Sequence, residues 1–270
     1  MATQLGISGS TIMSDTKQLE TLFTYGLSHI EIGEFADPQG FERFMQLQKG
    51  RGMTFGIHAP LYRTGSKNDL LQKISFDPEL AWEQLEKEAK QLSILGAKYI
   101  LVHFPFLATS LGEDAHVQLE RSLQRLKGIQ DRYGLPIVCE PKLGPDRSPL
   151  AIETLQQLPI EIWETYNLKL CIDVGDYALA VGERLMAVLK KWLKFVKVVH
   201  LHNIEFQGKQ HFWVPIHPSH EQDPEHLKIV PLLTLLSQAP DVIFILEHTP
   251  HLSPGQTFVN EGIEWLKSLV

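Results

Sequence analysis

At 270 residues and 43% hydrophobic content, the chain can bury a sizeable core as two average domains or as one eight-fold α/β barrel. Twenty-five basic against 32 acidic residues leave a net charge of −7 and a pI near 5.9, which disfavours a surface built to grip duplex DNA without excluding it. No apolar run approaches the roughly eighteen residues of a membrane span, and no basic segment leads into an apolar one at the N-terminus, so a soluble, cytoplasmic protein is expected.

Residues 5–8 read as a first strand, followed by a helical pattern over 16–25 that stops at Gly26. In the second strand, 28–32, His29 and Glu31 share one face and point to the same side of a sheet. A helix from Pro38 to the Gly50 and Gly52 pair leads to strand 54–58, which ends on His58 and opens into a loop containing Arg63. Residues 78–95 form the clearest helix, with Asp77 as N-cap and Gly96 as the stop. Strand 98–103 ends on His103, a helix covers 113–133, and strand 135–140 ends on Glu140. After a loop carrying Lys142, a helix over 149–166 is interrupted at Pro159, and strand 168–173 ends on Asp173. A helix over 177–195 precedes strand 196–202, whose last turns carry His200 and His202 on one face. Residues 203–224 show no clear period and read as a long functional loop holding His211, His217 and His220. A helix over 224–238, strand 242–247 ending on Glu247, and a closing helix complete the chain, with His248 and His251 expected at the surface.

Eight apolar strands alternating with helices describe a single (β/α)8 barrel spanning residues 1–270. No Gly-rich nucleotide motif follows any strand, which removes the dinucleotide and P-loop readings. Cys139 and Cys171 each fall inside a strand on differing faces and read as small buried thiols, not a disulfide. The six polar strand ends His58, His103, Glu140, Asp173, His200 and Glu247 lie at the C-terminal face, where such barrels build their sites. Three acids and three imidazoles around one ring need a cation, and mixed N and O donors suit zinc first, with manganese, iron or cobalt as further options.

The stretches Gly56-Ile-His58-Ala-Pro, Val102-His103-Phe-Pro, Val138-Cys-Glu140, Asp173-Val-Gly-Asp176, Val199-His200-Leu-His-Asn203 and Leu246-Glu247 resemble the strand-end motifs of the xylose isomerase-like barrels, and more specifically of endonuclease IV. The resemblance covers nearly the whole chain. It implies that Glu140, Asp173, His200 and Glu247 surround one metal, as in sugar isomerases and epimerases. It also implies that His58 and His103 hold an additional zinc with Glu140 bridging, as in the endonuclease. Two departures stand out: Asp176 replaces a histidine in the Asp-x-x-His pattern after strand six, and the later Asp-x-His pair has no counterpart, so a third zinc is not expected.

The first expectation is therefore phosphoester or phosphodiester hydrolysis at a dinuclear centre, with Asp176 or a loop histidine assisting proton transfer. The alternative is sugar isomerisation or epimerisation, or a related dehydration, at one metal, with Glu140 and Glu247 as catalytic carboxylates. Arg63, Lys142, His202, His211 and His217 are candidate contacts for a small anionic or sugar-like substrate, and Phe212 and Trp213 are candidates to close over it. A barrel retained only for binding is a third reading, and oligomerisation is left open.

Overall fold

The computed structural model describes residues 3–270. In chain order its strands are β1 (Gln4–Ser8), β2 (His29–Ile32), β3 (Thr54–His58), β4 (Ile100–His103), β5 (Ile137–Glu140), β6 (Lys169–Asp173), β7 (Val196–Leu201), β8 (Asn203–Gln207), β9 (Gln210–Val214) and β10 (Ile243–Leu246). β1 to β7 and β10 are parallel and close into a barrel, with β1 pairing both β2 and β10. The helices are α1 (Pro38–Gln48), α2 (Pro78–Leu95), α3 (Ala115–Tyr133), α4 (Leu150–Gln157), α5 (Ile160–Tyr166), α6 (Val174–Val181), α7 (Leu185–Trp192), α8 (Ile229–Leu236) and α9 (Gln256–Leu269). No helix among the described residues is long and apolar enough to cross a membrane.

Local chemistry sets the helix ends. The Asp77 side chain accepts from the Glu79 N–H at the start of α2, and Gly96 ends it in the left-handed conformation at φ 81°. Pro159 divides the expected 149–166 helix into α4 and α5, as its missing N–H requires. Three expected helices come out differently. Residues 16–25 form a 3₁₀ helix, Thr16–Phe23, and the 177–195 segment is split into α6 and α7 at Gly182, which sits at φ 53°. The helix expected from 224 begins only at Ile229.

The 203–224 segment is not the structureless loop its composition suggested. β8 and β9 pair as an antiparallel ribbon with Asn203 opposite Val214 and Gln207 opposite Gln210, leaving Gly208 and Lys209 as a two-residue turn. Gly208 takes φ 63°, a conformation that glycine adopts without steric cost. The ribbon buries Ile204 and Val214 near its base while Phe206 stays exposed, so the burial alternation expected of a core strand is weak.

Inside the barrel the period of two is strict. Leu101 and His103, Val138 and Glu140, Cys171 and Asp173, Val198 and His200, and Ile245 and Glu247 each lie two residues apart along one strand face. The apolar member of each pair joins Tyr99 and Ile243 in a buried plug, and the polar member stands one layer above it. Gly56 makes room for this plug, because a Cβ there would come within 2.3 Å of the Tyr99 ring. Both cysteines are free and fully buried.

Candidate metal centre

Register places the polar strand ends side by side. His103 pairs with Glu140 across β4 and β5, Asp173 pairs with His200 across β6 and β7, and Glu247 follows β10 by one residue. Three donor groups result, each with its atoms within 4.8 Å of one another: one, Glu140, Cys171 and His200, includes a buried thiol, and the two built from imidazoles and carboxylates alone are His58, His103 and Glu140, and then Glu140, Asp173, His200 and Glu247. Glu140 belongs to all three.

The orientations of the three histidines decide what this arrangement can hold. His58 Nδ1 lies 3.1 Å from the Ala59 carbonyl, His103 Nδ1 lies 2.7 Å from Asn68 Oδ1, and His200 Nε2 lies 2.8 Å from Glu31 Oε1. Each of those nitrogens has a fixed acceptor, which turns the other ring nitrogen toward the carboxylates; burial works against protonation, but Glu140 holds the His58 imidazole above its ordinary range and the acids around His200 hold it well above. Two such nitrogens, His58 Nε2 and His103 Nε2, face the same oxygen, Glu140 Oε2, at 3.2 and 3.3 Å. His103 Nε2, Glu140 Oε2 and His200 Nδ1 are all buried without a hydrogen-bond partner. Imidazole nitrogens and carboxylate oxygens converging in a buried site form a donor set that fits a divalent cation in place of the protons on His58 and His200. Burial holds the His103 imidazole down at about 3, which keeps it neutral and available as a ligand.

Around Glu140 and Asp173 a cation of the chain's own is already in place. Lys142 Nζ donates to Glu140 Oε1 at 3.0 Å and to Asp173 Oδ2 at 2.7 Å, and it lies 3.1 Å from Asp176 Oδ2. Burial works to lower the Lys142 pKa, but the carboxylates of Asp173, Asp176 and Glu140 hold it well above the usual range. Burial also works to raise the Glu140 carboxyl, yet Lys142 and His200 keep it well below its ordinary value. Asp176, by contrast, is pushed up to about 7 by burial and by the nearby Asp173 charge, against the pull of Lys142. Lys142 thus spends its donors on carboxylates, where the sequence reading placed it against substrate.

The other expected contacts divide. His202 is buried on Asp173, with Nε2 at 2.9 Å from Oδ1, and packs against the Trp213 ring at 4.3 Å between centroids. His211 stands on β9, 4.5 Å from the same ring, and lines a cavity with Arg147 and Lys209. Arg63 donates to the Glu34 and Met13 carbonyls at the rim of the cavity over the centre. His217 turns away: it caps a short 3₁₀ helix through Ser219, lies 3.1 Å from Glu261 and stacks on Phe258 of α9. His220, stacked on His226, is equally remote from both cavities. His248, expected at the surface, is buried, whereas His251 is exposed on the cavity wall.

A cavity of about 370 Å³ opens over the centre and is lined by Ser8, His58, His103, Lys142, Trp213 and Glu247, among others, beside the larger one, about 680 Å³, that His211 lines. Glu247 has a side chain 12% exposed, whereas those of Glu140, Asp173 and His200 are sealed, so it alone of its donor group meets the cavity. Its Oε2 lies 2.6 Å from His200 Nδ1, and its Oε1 accepts from the Ser8 hydroxyl at 3.2 Å. Ser8, Asn68 and Tyr99 were not anticipated. Tyr99 was within reach, because it shares the strand face of Leu101 and His103, but no sequence signal marks Ser8 or Asn68.

The description "xylose isomerase-like TIM barrel" matches residues 19–269. This chain belongs to that family. No curated protein matches its sequence. Among solved structures, the barrel is similar to the apo form of 3-keto-D-glucoside 4-epimerase from E. coli, at 13% identity over 99% of this chain and 100% of that one, with a TM-score of 0.68. It is similar to an AP endonuclease, family 2, from Brucella melitensis, at 13% identity, 99% of each chain and a TM-score of 0.66. A third likeness is the IolI protein with a bound zinc atom, at 15% identity, 98% of this chain, 96% of that one and a TM-score of 0.67. At these identities the likeness shows the fold, and the family is one of enzymes.

Proposed function

We propose that this chain is a divalent-metal-dependent isomerase or epimerase of a sugar or similar polyhydroxy carbonyl compound. The observation that carries the reading is the placing of Glu247: one carboxylate of the donor ring opens onto the cavity beside His58 and His103. The residues that would hold the ion are Glu140 with His58 and His103 on one side, and Glu140 with Asp173, His200 and Glu247 on the other. Zinc suits this mixture best, with manganese, iron and cobalt as further candidates. The ion supplies Lewis-acid polarisation of a substrate carbonyl and the hydroxyl beside it. Glu247, steadied by Ser8, removes the proton from the hydroxyl-bearing carbon next to that carbonyl and returns it to the former carbonyl carbon, while the proton of the hydroxyl passes to the former carbonyl oxygen. Isomerisation on one face needs Glu247 alone. Epimerisation needs a second group on the opposite face. Glu140, sealed from the cavity, serves as ligand, so its earlier assignment as an acid or base gives way to Glu247.

The test is exchange of solvent deuterium into substrate and product over a panel of aldoses and ketoses, free and phosphorylated, in the presence of Zn²⁺ or Mn²⁺. Exchange by the wild-type chain that disappears in Glu247→Gln is the expected result. Full metal occupancy without exchange into any of them would overturn the proposal.

Phosphoester hydrolysis is the second reading, favoured specifically by the His58, His103 and Glu140 group, in which Glu140 is able to bridge two ions. It ranks below the first because Lys142 already neutralises the Asp173 side of the bridge. Cleavage of phosphodiesters by wild type, lost in the His58→Ala, His103→Ala double variant, would reverse the order.

A further inference from the structure

Resting on the metal-dependent reading above, and sharpening it, the geometry points to Lys142 as a built-in cation that takes the place of one divalent ion in a two-cation centre.

The argument is one of valence and of charge. Glu140 has two oxygens. Oε1 is shared by Lys142 Nζ at 3.0 Å and His200 Nδ1 at 3.3 Å, whereas Oε2 has no hydrogen-bond partner and faces His58 and His103. Asp173 is occupied on both oxygens: Oδ1 takes His202 Nε2 and the Asp176 N–H, each at 2.9 Å, and Oδ2 takes Lys142 at 2.7 Å. The three N–H bonds of the Lys142 ammonium match three carboxylates, with Asp176 completing the set at 3.1 Å. Lys142 borders both cavities, yet its three donors are engaged by these carboxylates. The open valence of the centre therefore lies on the histidine side.

Charge leads to the same place. Glu140, Asp173 and Glu247, with Asp176 beside them, form one group of acids around the barrel mouth, and Lys142 answers only those it touches, leaving Glu140 Oε2 to His58 and His103 and Glu247 to His200. One divalent ion at Glu140 Oε2, His58 and His103 supplies the rest. A second ion at Asp173 would stand against Lys142, and like charges at such a distance repel strongly in a buried site. Asp176 is part of the device. Where a histidine would offer a neutral donor to an ion, a carboxylate attracts an ammonium, so Lys142 and Asp176 act as a matched pair. In this arrangement Lys142 is a positioning residue: it fixes Glu140 and Asp173 and leaves Glu247 unligated, free for proton transfer at the cavity wall.

The experiment counts metal. The full-length chain, stripped with chelator, is titrated with Mn²⁺ and followed by elemental analysis and by electron paramagnetic resonance, which reports whether two Mn²⁺ ions are magnetically coupled. Wild type should take up one equivalent and show no coupled signal. Lys142→Met and Lys142→Gln should take up two and show coupling, as expected for ions about 3.5–4 Å apart. Lys142→Arg, which keeps the charge, should remain at one. In the Lys142→Met background, His58→Ala with His103→Ala should return the count to one. Two equivalents in wild type, or one in folded Lys142→Met and Lys142→Gln, would overturn the inference, and the wild-type signal alone decides it if the variants do not fold. The count is independent of turnover, so failure of the isomerase assay and failure of this inference are separately visible.

Discussion

Each histidine at the centre gives one ring nitrogen to a fixed acceptor, and the acceptors differ in strength. Glu31, which receives His200 Nε2, is itself fully buried and accepts the Tyr99 hydroxyl on its other oxygen at 2.7 Å. The Tyr99 hydroxyl in turn lies 3.1 Å from His29 Nε2, so a buried polar column supports the ligand from within the barrel. Replacing Glu31 by Gln removes the charge that holds His200 against the shared Glu140, and metal affinity should fall by about 10-fold. Competition against a fluorescent chelator measures this. Unchanged affinity would show that His200 needs no such support. Asn68→Ala removes the neutral acceptor of His103 and should weaken binding by about 10-fold in the same assay.

Among the elements, the loop between β3 and α2 does more than connect. The Asp69 carboxylate accepts from the backbone N–H groups of Ile74, Ser75 and Phe76 at 2.7, 2.6 and 2.8 Å and from the Ser66 hydroxyl at 2.8 Å. It thereby ties down the segment that carries Asn68 to His103. Asp69→Ala removes the common acceptor of these four hydrogen bonds and should cost about 2 kcal/mol in denaturant unfolding. Metal affinity should fall with it, whereas a purely local loss of stability would leave affinity intact. Burial works to raise the Asp69 pKa, but the N–H groups of Phe76 and Ser75 hold the carboxyl below its ordinary range. A carboxyl depressed in the folded state stabilises above its unfolded value. That contribution should be complete above about pH 5 and disappear as pH falls through the folded value, and Asp69→Asn should flatten this acid limb of the stability profile. The β8–β9 ribbon is the other element that shapes the site, since Trp213 lines both cavities and packs on His202. Once a substrate is found, Trp213→Ala should raise KM more than it lowers kcat, and an equal fall in kcat would place the ring in the reaction itself.

For the whole molecule, the ion acts as a ligand that binds only the folded barrel, because its donors come from strands up to 82 positions apart, from His58 to Glu140. Metal at about 100 times its Kd should add about 2.7 kcal/mol to stability, or about 5–10 °C in Tm for a chain of this size. Calorimetry with and without chelator checks it; an unchanged Tm would mean that no ion binds the native centre at that concentration. The barrel and its ring of strand-end ligands were readable from the sequence for a definite physical reason. A strand buried on both faces leaves no inexpensive place for Glu140, Asp173 or His200 except its C-terminal end, and a period of two turns each of them inward above Val138, Cys171 and Val198. The breaks at Pro159, Asp77 and Gly96 were readable because they act within a few residues of themselves. The ribbon at 203–214 was not, since it buries little more than Ile204 and Val214 and so leaves almost no hydrophobic period. Nor were the partners that give the centre its character. That Lys142 meets Asp173 and Asp176, that Asn68 reaches His103, and that His217 turns to Glu261 depend on which side chains closure of the barrel brings within about 3 Å. Spacing along the chain determined where the ligands stand, and only the tertiary structure decided which cation already stands among them.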